Sequence, residues 1–261
     1  MQSEKIDRYG DELYQALLSA KPVDPLTERE PDITIEDAYR IQGRMIARRL
    51  EDPAETVIGK KIGVTSKAVM DMLNVRQPDF GQLLGSMFLE SGATCEMAKM
   101  IAPRAEGEIA FVLKHDLEGP GVTLADVIRA TDYVSPCFEI VDSRIRDWKI
   151  KIQDTVADNG SAAALVIGSA KVDPRKIDLS LVGMTLTKNG EIVATGAGAA
   201  ALGHPANAVA WLANTLGAHG VPLKAGEVIL SGSLAALIPV VAGDALTMAI
   251  GEIGSASVRF A

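Results

Sequence analysis

The chain has 261 residues, 48% of them hydrophobic and 23% charged, with a net charge of −8 at pH 7. Its length suits one large domain, or one domain with a smaller appendage, and its composition is that of an ordinary globular protein. The acidic balance is spread along the chain without a basic stripe, which argues against nucleic-acid binding.

The opening "MQSEKIDRYGDELY" is charged and lacks an apolar segment, so a cytoplasmic chain is expected. Over 3–20, Ile6, Tyr9, Leu13, Ala16 and Leu17 recur at helical spacing. "KPVDPLTEREPD" (21–32) carries three prolines and reads as a loop. Thr34, with Asp37 three residues on, opens a second helix with Ala38, Ile41 and Met45 on one face. Arg44, Arg48 and Arg49 suit the negative pole of that helix.

From about residue 56 the texture changes to short β-branched runs punctuated by glycine. Strands are expected in 56–65, 108–113, 137–143, 181–195, 226–233 and 244–260, with a hairpin at the Asn-Gly of "KNGE" (188–191). One late helix is expected over 204–220. His204 is its N-cap, Pro205 its first residue, Val209, Leu212, Ala213 and Leu216 its apolar stripe, and Gly220 its stop. The run 235–250 is broken by proline, glycine and aspartate, so no membrane span is expected. Strands grouped together, rather than alternating with helices, predict an α+β fold with a mixed or largely antiparallel sheet.

The chemistry concentrates in "RAEGEIAF" (104–111). Glu106 and Glu108 are two apart in a strand, so they share a face, which continues as Ala110 and Val112. Two carboxylates entering an apolar core side by side need neutralising. Protonation of one, a cationic side chain such as Arg104, or a metal ion would each do so. Glu139 lies in equally apolar company in "VSPCFEIVDSR" (134–144). Three carboxylates from two strands offer the oxygen ligands that Mg²⁺ or Mn²⁺ prefers. Spacing alone leaves this open against solvated edge-strand charges.

Lys61 in "GKKIG", Asp79 in "QPDFG", Ser161 at the end of "DTVADNGS" and Ser233 in "LSGS" are polar residues beside glycine turns, and candidates to line the same cavity. Taken singly, each also reads as a turn or surface residue. Cys95 and Cys137 and the three histidines lack metal-ligand spacing. No GxSxG, P-loop or dinucleotide fingerprint is present.

The segments "IGKKIGVTSKAVMDMLNVRQPDFG", "PRAEGEIAFVL", "FEIVDSRIRDWKIKIQDTVADN", "GAGAAALGHPANAVAWLANTLG" and "LKAGEVILSGS" carry a resemblance over essentially the whole chain, in order. The chain resembles the 2-oxopent-4-enoate (2-hydroxypenta-2,4-dienoate) hydratases of meta-cleavage pathways, within the fumarylacetoacetate hydrolase superfamily. "VADN", "GAGAA" and "LGHP" are shared with the related 2-oxo-3-hexenedioate (4-oxalocrotonate) decarboxylases, whereas "RIRDWKIKIQDTVADN" and "NAVAWLANTLG" are more hydratase-like. Departures at 159–168 and 233–240 touch Ser161 and the far end of the substrate.

The resemblance implies a mixed β-sheet or β-roll core (76–261) with a helical region (1–75) packed on it. It implies Mg²⁺ or Mn²⁺ held by Glu106, Glu108 and Glu139, with a 2-hydroxy-2,4-dienoate chelating the ion through its carboxylate and 2-oxygen. Asp79 is then the expected general acid/base and Lys61 its charged partner or a carboxylate contact, while Ser161 and Ser233 orient the substrate carboxylate or water. A homo-oligomer, and a complex with a pathway decarboxylase, fit the same family. The rival readings are a 4-oxalocrotonate decarboxylase, which would want an extra cation for its second carboxylate, and a non-catalytic partner subunit.

Overall fold

The computed structural model describes residues 1–72 and 74–261. Its helices are α1 (Ser3–Ser19), α2 (Leu26–Arg29), α3 (Ile35–Arg49), α4 (Lys67–Met72), α5 (Leu124–Ala130), α6 (Ile152–Ala157) and α7 (Pro205–Gly217). The first seven strands are β1 (Val57–Gly63), β2 (Asp79–Leu84), β3 (Phe88–Glu90), β4 (Thr94–Cys95), β5 (Arg104–Leu113), β6 (Thr131–Val141) and β7 (Ala162–Ile167). The remainder are β8 (Gly183–Lys188), β9 (Glu191–Ala197), β10 (Val228–Leu230), β11 (Ile238–Pro239), β12 (Ala245–Ile250) and β13 (Gly254–Phe260).

Two sheets form an α+β architecture. The larger runs β2-β1-β10-β5-β6-β7-β3, with β11 added beside β5; the smaller runs β4-β13-β12-β8-β9. Both are mixed, because β1 lies parallel to β10, β3 to β7, and β4 to β13, among otherwise antiparallel neighbours. Ile109, Phe111 and Phe138 of the larger sheet share one core with Met184, Leu186, Met248 and Val258 of the smaller sheet and with α7. The other face of the larger sheet carries Ala110, Cys137, Leu165 and Leu230 against Leu83, Met87 and Ile46 of α3.

The N-terminal helices pack on each other through the expected stripe. Ile6, Tyr9 and Leu13 of α1 meet Ala38, Ile41 and Met45 of α3, and the cluster continues into Ile152 and Val156 of α6. Thr34 caps α3 by accepting from the Asp37 backbone N–H, and the Asp37 carboxylate accepts from the Thr34 N–H in return. His204 caps α7 through Nδ1, with Pro205 as the first helical residue. The helices of segment 1–75 pack on the core, while its strand β1 is hydrogen-bonded inside the larger sheet, between β2 and β10.

The Asn-Gly hairpin forms between β8 and β9, with Asn189 and Gly190 both at positive φ, as a tight two-residue turn of this hand requires. The run 244–260 forms a second hairpin, β12–β13. The run 226–233 yields only three paired residues, because the chain after Leu230 turns toward the carboxylates of β5. No described helix is long and apolar enough to cross a membrane.

Candidate active site

The antiparallel pairing of β5 with β6 sets Glu106 directly opposite Glu139, and Glu108 lies two residues along the same face. One ligand oxygen from each of the three lies within 4.8 Å of the others. Glu108 and Glu139 are fully buried, and Glu106 is half-buried. Glu108 is held by one protein donor, the Gly232 N–H at 2.8 Å from Oε2. Its Oε1 and both oxygens of Glu139 are buried and accept no hydrogen bond from the protein. Burial, reinforced by mutual repulsion, pushes the Glu106 carboxyl up to about 7 and Glu108 well above the usual carboxylate range. Burial likewise raises Glu139, against the pull of Lys61.

The cation beside this trio is Lys61, on β1. Its ammonium stands 3.4 Å from Glu139 Oε1 and donates to the Gly160 carbonyl at 3.2 Å. Strand alternation sends the adjacent Lys60 to the other face, where it pairs with Glu227 at 2.6 Å. Burial alone would lower the Lys61 pKa, but Glu139, Asp79, Glu106 and Glu108 together overcome this and hold it above the ordinary lysine value. Arg104, the other candidate neutraliser, is occupied elsewhere: its guanidinium lies 4.3 Å from the centre of the Trp148 ring. Among the three ways of neutralising the glutamates, the cationic one therefore falls to Lys61 and not to Arg104. Arg104 sits at the outer end of β5, stacked on that aromatic face.

Asp79 opens β2 and pairs with Gly63 of β1. Its carboxyl is buried, Oδ1 has no hydrogen-bond partner, and burial raises its pKa in spite of Lys61. Gly63 makes room for the pair: a methyl there would overlap Asp79 Oδ1 and stand 3.1 Å from Lys61 Nζ. Ser233 is half-buried, and its hydroxyl donates to the Ala235 carbonyl at 2.6 Å. Ser161 is buried, with its hydroxyl 3.3 Å from Asp158 Oδ2. The fold thus brings Lys61, Asp79, Glu106, Glu108 and Glu139 around one buried polar centre at the end of β10. Ser233 and Ser161 follow the chain segments that border it.

A family model described as fumarylacetoacetate (FAA) hydrolase C-terminal matches residues 58–261. The chain belongs to the fumarylacetoacetate hydrolase family. Within this family it is 59% identical over 257 residues to a 2-hydroxyhexa-2,4-dienoate hydratase of Comamonas testosteroni, covering 98% of this chain and 97% of that protein. It is 60% identical over 222 residues to a 2-hydroxypent-2,4-dienoate hydratase of Pseudomonas putida, covering 85% of this chain and all of that one. Among solved structures, 4-oxalocrotonate decarboxylase of Pseudomonas putida G7, complexed with magnesium and adipate, superposes with a TM-score of 0.96 at 37% identity. That match covers 100% of this chain and 99% of the decarboxylase.

For this fumarylacetoacetate hydrolase family chain, the residues present fit a divalent cation. The donor set is all oxygen, and the buried acceptors outnumber the protein donors available to them. Sequence reasoning overlooked the supports of the site. Arg144 and Asp158 form an ion pair with both side chains buried, and Asn159 and Gln42 grip the edge of β2. The advance signal was the Asp-Asn-Gly turn sequence at 158–160.

Proposed function

We propose that the chain is a divalent-metal-dependent hydro-lyase that adds water to 2-hydroxypenta-2,4-dienoate to give 4-hydroxy-2-oxopentanoate. The observation that carries the reading is the trio Glu106, Glu108 and Glu139, converging with too few donors and facing a buried lysine and aspartate, in a chain 59–60% identical to two dienoate hydratases. In this reading the three glutamates hold Mg²⁺ or Mn²⁺, which when bound supplies Lewis acidity for negative charge on the substrate oxygens.

The protein's own groups have separable tasks. Lys61, whose ammonium lies 3.4 Å from Glu139 and is fixed by the Gly160 carbonyl, serves as a positive contact for the substrate rather than as a base. Asp79, raised by burial, is suited to carry a proton in both directions. It takes the proton from the 2-hydroxyl and returns one to C5, which leaves a 2-oxo-3-enoate. Water then bonds to C4 and a proton reaches C3, so the net change is the addition of one water. Ser233, beside Glu106, orients the substrate carboxylate. Ser161, whose hydroxyl bonds Asp158, is the second candidate for that task.

Decarboxylation of 4-oxalocrotonate is the second reading, supported by the TM-score of 0.96 to such an enzyme. The higher identity to the hydratases favours hydration. Incubating the purified protein and Mg²⁺ with each substrate separates them. Hydration predicts 4-hydroxy-2-oxopentanoate from the dienoate, by NMR, without CO₂ from the hexenedioate. Release of CO₂ with the dienoate untouched would overturn it. The proposal includes a cytoplasmic homo-oligomer able to bind a pathway decarboxylase, and light scattering with and without that enzyme tests the assembly.

A further inference from the structure

β2 carries Asp79 and is the last strand of the larger sheet, so among the described residues its outer edge has no neighbouring strand to satisfy it. Two side-chain amides close that edge. Gln42 of α3 donates to the Phe80 carbonyl at 3.0 Å and to Val156 at 2.9 Å. Asn159 makes a two-point pair with Gln82: Oδ1 accepts from the Gln82 N–H at 2.7 Å, and Nδ2 donates to the Gln82 carbonyl at 2.9 Å. The next residue, Gly160, presents its carbonyl to the Lys61 ammonium at 3.2 Å. One turn therefore touches the strand of Asp79 and the head of Lys61.

The turn has an unusual backbone. Asn159, Gly160 and Ser161 all have left-handed φ, at 56°, 59° and 57°. L-residues adopt such a run only where the surroundings over-determine it. Here the surroundings are the Arg144–Asp158 pair. Asp158 accepts from Arg144 Nε, from the Arg144 backbone N–H at 3.0 Å and from Ser143 Oγ at 3.3 Å. Arg144 also donates to the carbonyls of Asp142 at 2.7 Å, Ala162 at 3.2 Å and Asp158. With both side chains buried, both Asp158 oxygens paired and four of the five guanidinium N–H groups donating, the pair locks the start and end of the turn.

We propose that the turn Asp158–Ser161, locked by Arg144, is the positioning element of the acid/base pair: Asn159 fixes the strand bearing Asp79, and the Gly160 carbonyl fixes Lys61. Asn159, Asp158 and Arg144 are positioning residues and act only through Asp79 and Lys61. This rests on the hydratase reading above.

Asn159→Gly is the decisive variant, because glycine keeps the left-handed backbone while the amide is lost. With saturating Mg²⁺, its kcat on the dienoate should fall roughly 10- to 100-fold, as expected for displacement of a catalytic group by about 1 Å. KM should change less than about threefold, and Mg²⁺ affinity by calorimetry should be unchanged, since no glutamate sits on the turn. Thr27→Val serves as the stability control. It removes the 2.7 Å hydrogen bond to Asp154 at the far end of α6, and should lower Tm while leaving kcat intact. Wild-type kcat in Asn159→Gly, or loss of Mg²⁺ binding in step with kcat, would overturn the proposal. Should the wild-type protein not hydrate the dienoate, the functional reading fails by itself. The positioning claim is then decided by the crystal structure of Asn159→Gly, where an Asp79 carboxylate unmoved from its wild-type place refutes it and a displaced one upholds it.

Discussion

Glu139 has two buried oxygens, no hydrogen bond to either, and one ammonium 3.4 Å away. A carboxylate so placed is unfavourable by several kcal/mol unless a cation or a proton compensates it. That makes the glutamine variants informative. Glu108→Gln and Glu139→Gln each keep the shape and remove a charge. Both should abolish Mg²⁺ binding by calorimetry and lower kcat at least about 100-fold, while the Tm of the metal-free protein stays level or rises. A fall in metal-free Tm would mean that the charge is stabilising, contrary to this account. Asp79→Asn should lose about 10²- to 10⁴-fold in kcat with Mg²⁺ binding retained, the range for removing a general acid/base. Gly63→Ala should give a similar split, since a methyl there overlaps the Asp79 carboxylate and crowds the Lys61 ammonium, its nearest neighbours.

At the scale of elements, the site depends on how β1, β2, β5 and β6 are registered and on what holds the chain between β6 and β7. Arg144 leads that segment. Its replacement by alanine would leave Asp158 buried and unpaired, a defect of about 3–5 kcal/mol, and should lower the urea midpoint sharply. If Arg144→Ala unfolds at the wild-type midpoint, the pair is not structural. The same elements show what could be read ahead. The helix caps at Thr34 and His204 and the Asn-Gly turn were legible because a cap or turn is decided by residues three or four apart. The shared face of Glu106 and Glu108 was legible for the same reason. β10 was read too long, because its end is decided by a bond from Gly232 to Glu108, 124 residues away. Of the candidate neutralisers, Arg104 could not be sorted from the sequence, because its stacking on Trp148 is a contact between different segments. Arg144–Asp158 and Asn159–Gln82 were missed because both are long-range pairings that leave no local pattern.

For the whole molecule, the cluster couples stability to pH and to metal. In the metal-free protein, burial pushes Glu106 up to about 7 and raises Glu108, Glu139 and Asp79, so the folded state binds protons more tightly than the unfolded chain. The stabilisation from these protons is complete below the ordinary carboxylate range and is lost as pH rises through about 7 for Glu106. Surface carboxylates held low by ion pairs, such as Asp11, titrate below this window; burial lowers the His204 imidazole and works the other way, one half-buried group against the four raised carboxyls. Metal-free Tm should therefore fall between pH 5 and pH 8. The rise in Tm on adding Mg²⁺ should grow over the same interval, as protons cease to compete with the ion. A metal-free Tm that climbs across this window would rule out a buried cluster of raised carboxyls.

The most direct measurement is the rate of dienoate hydration by wild-type protein stripped with a chelator, before and after Mg²⁺ is returned. A cation held by Glu106, Glu108 and Glu139 predicts a stripped rate below about 1% of the original and full recovery on re-addition. Undiminished turnover in protein shown by elemental analysis to be free of divalent metal would contradict it.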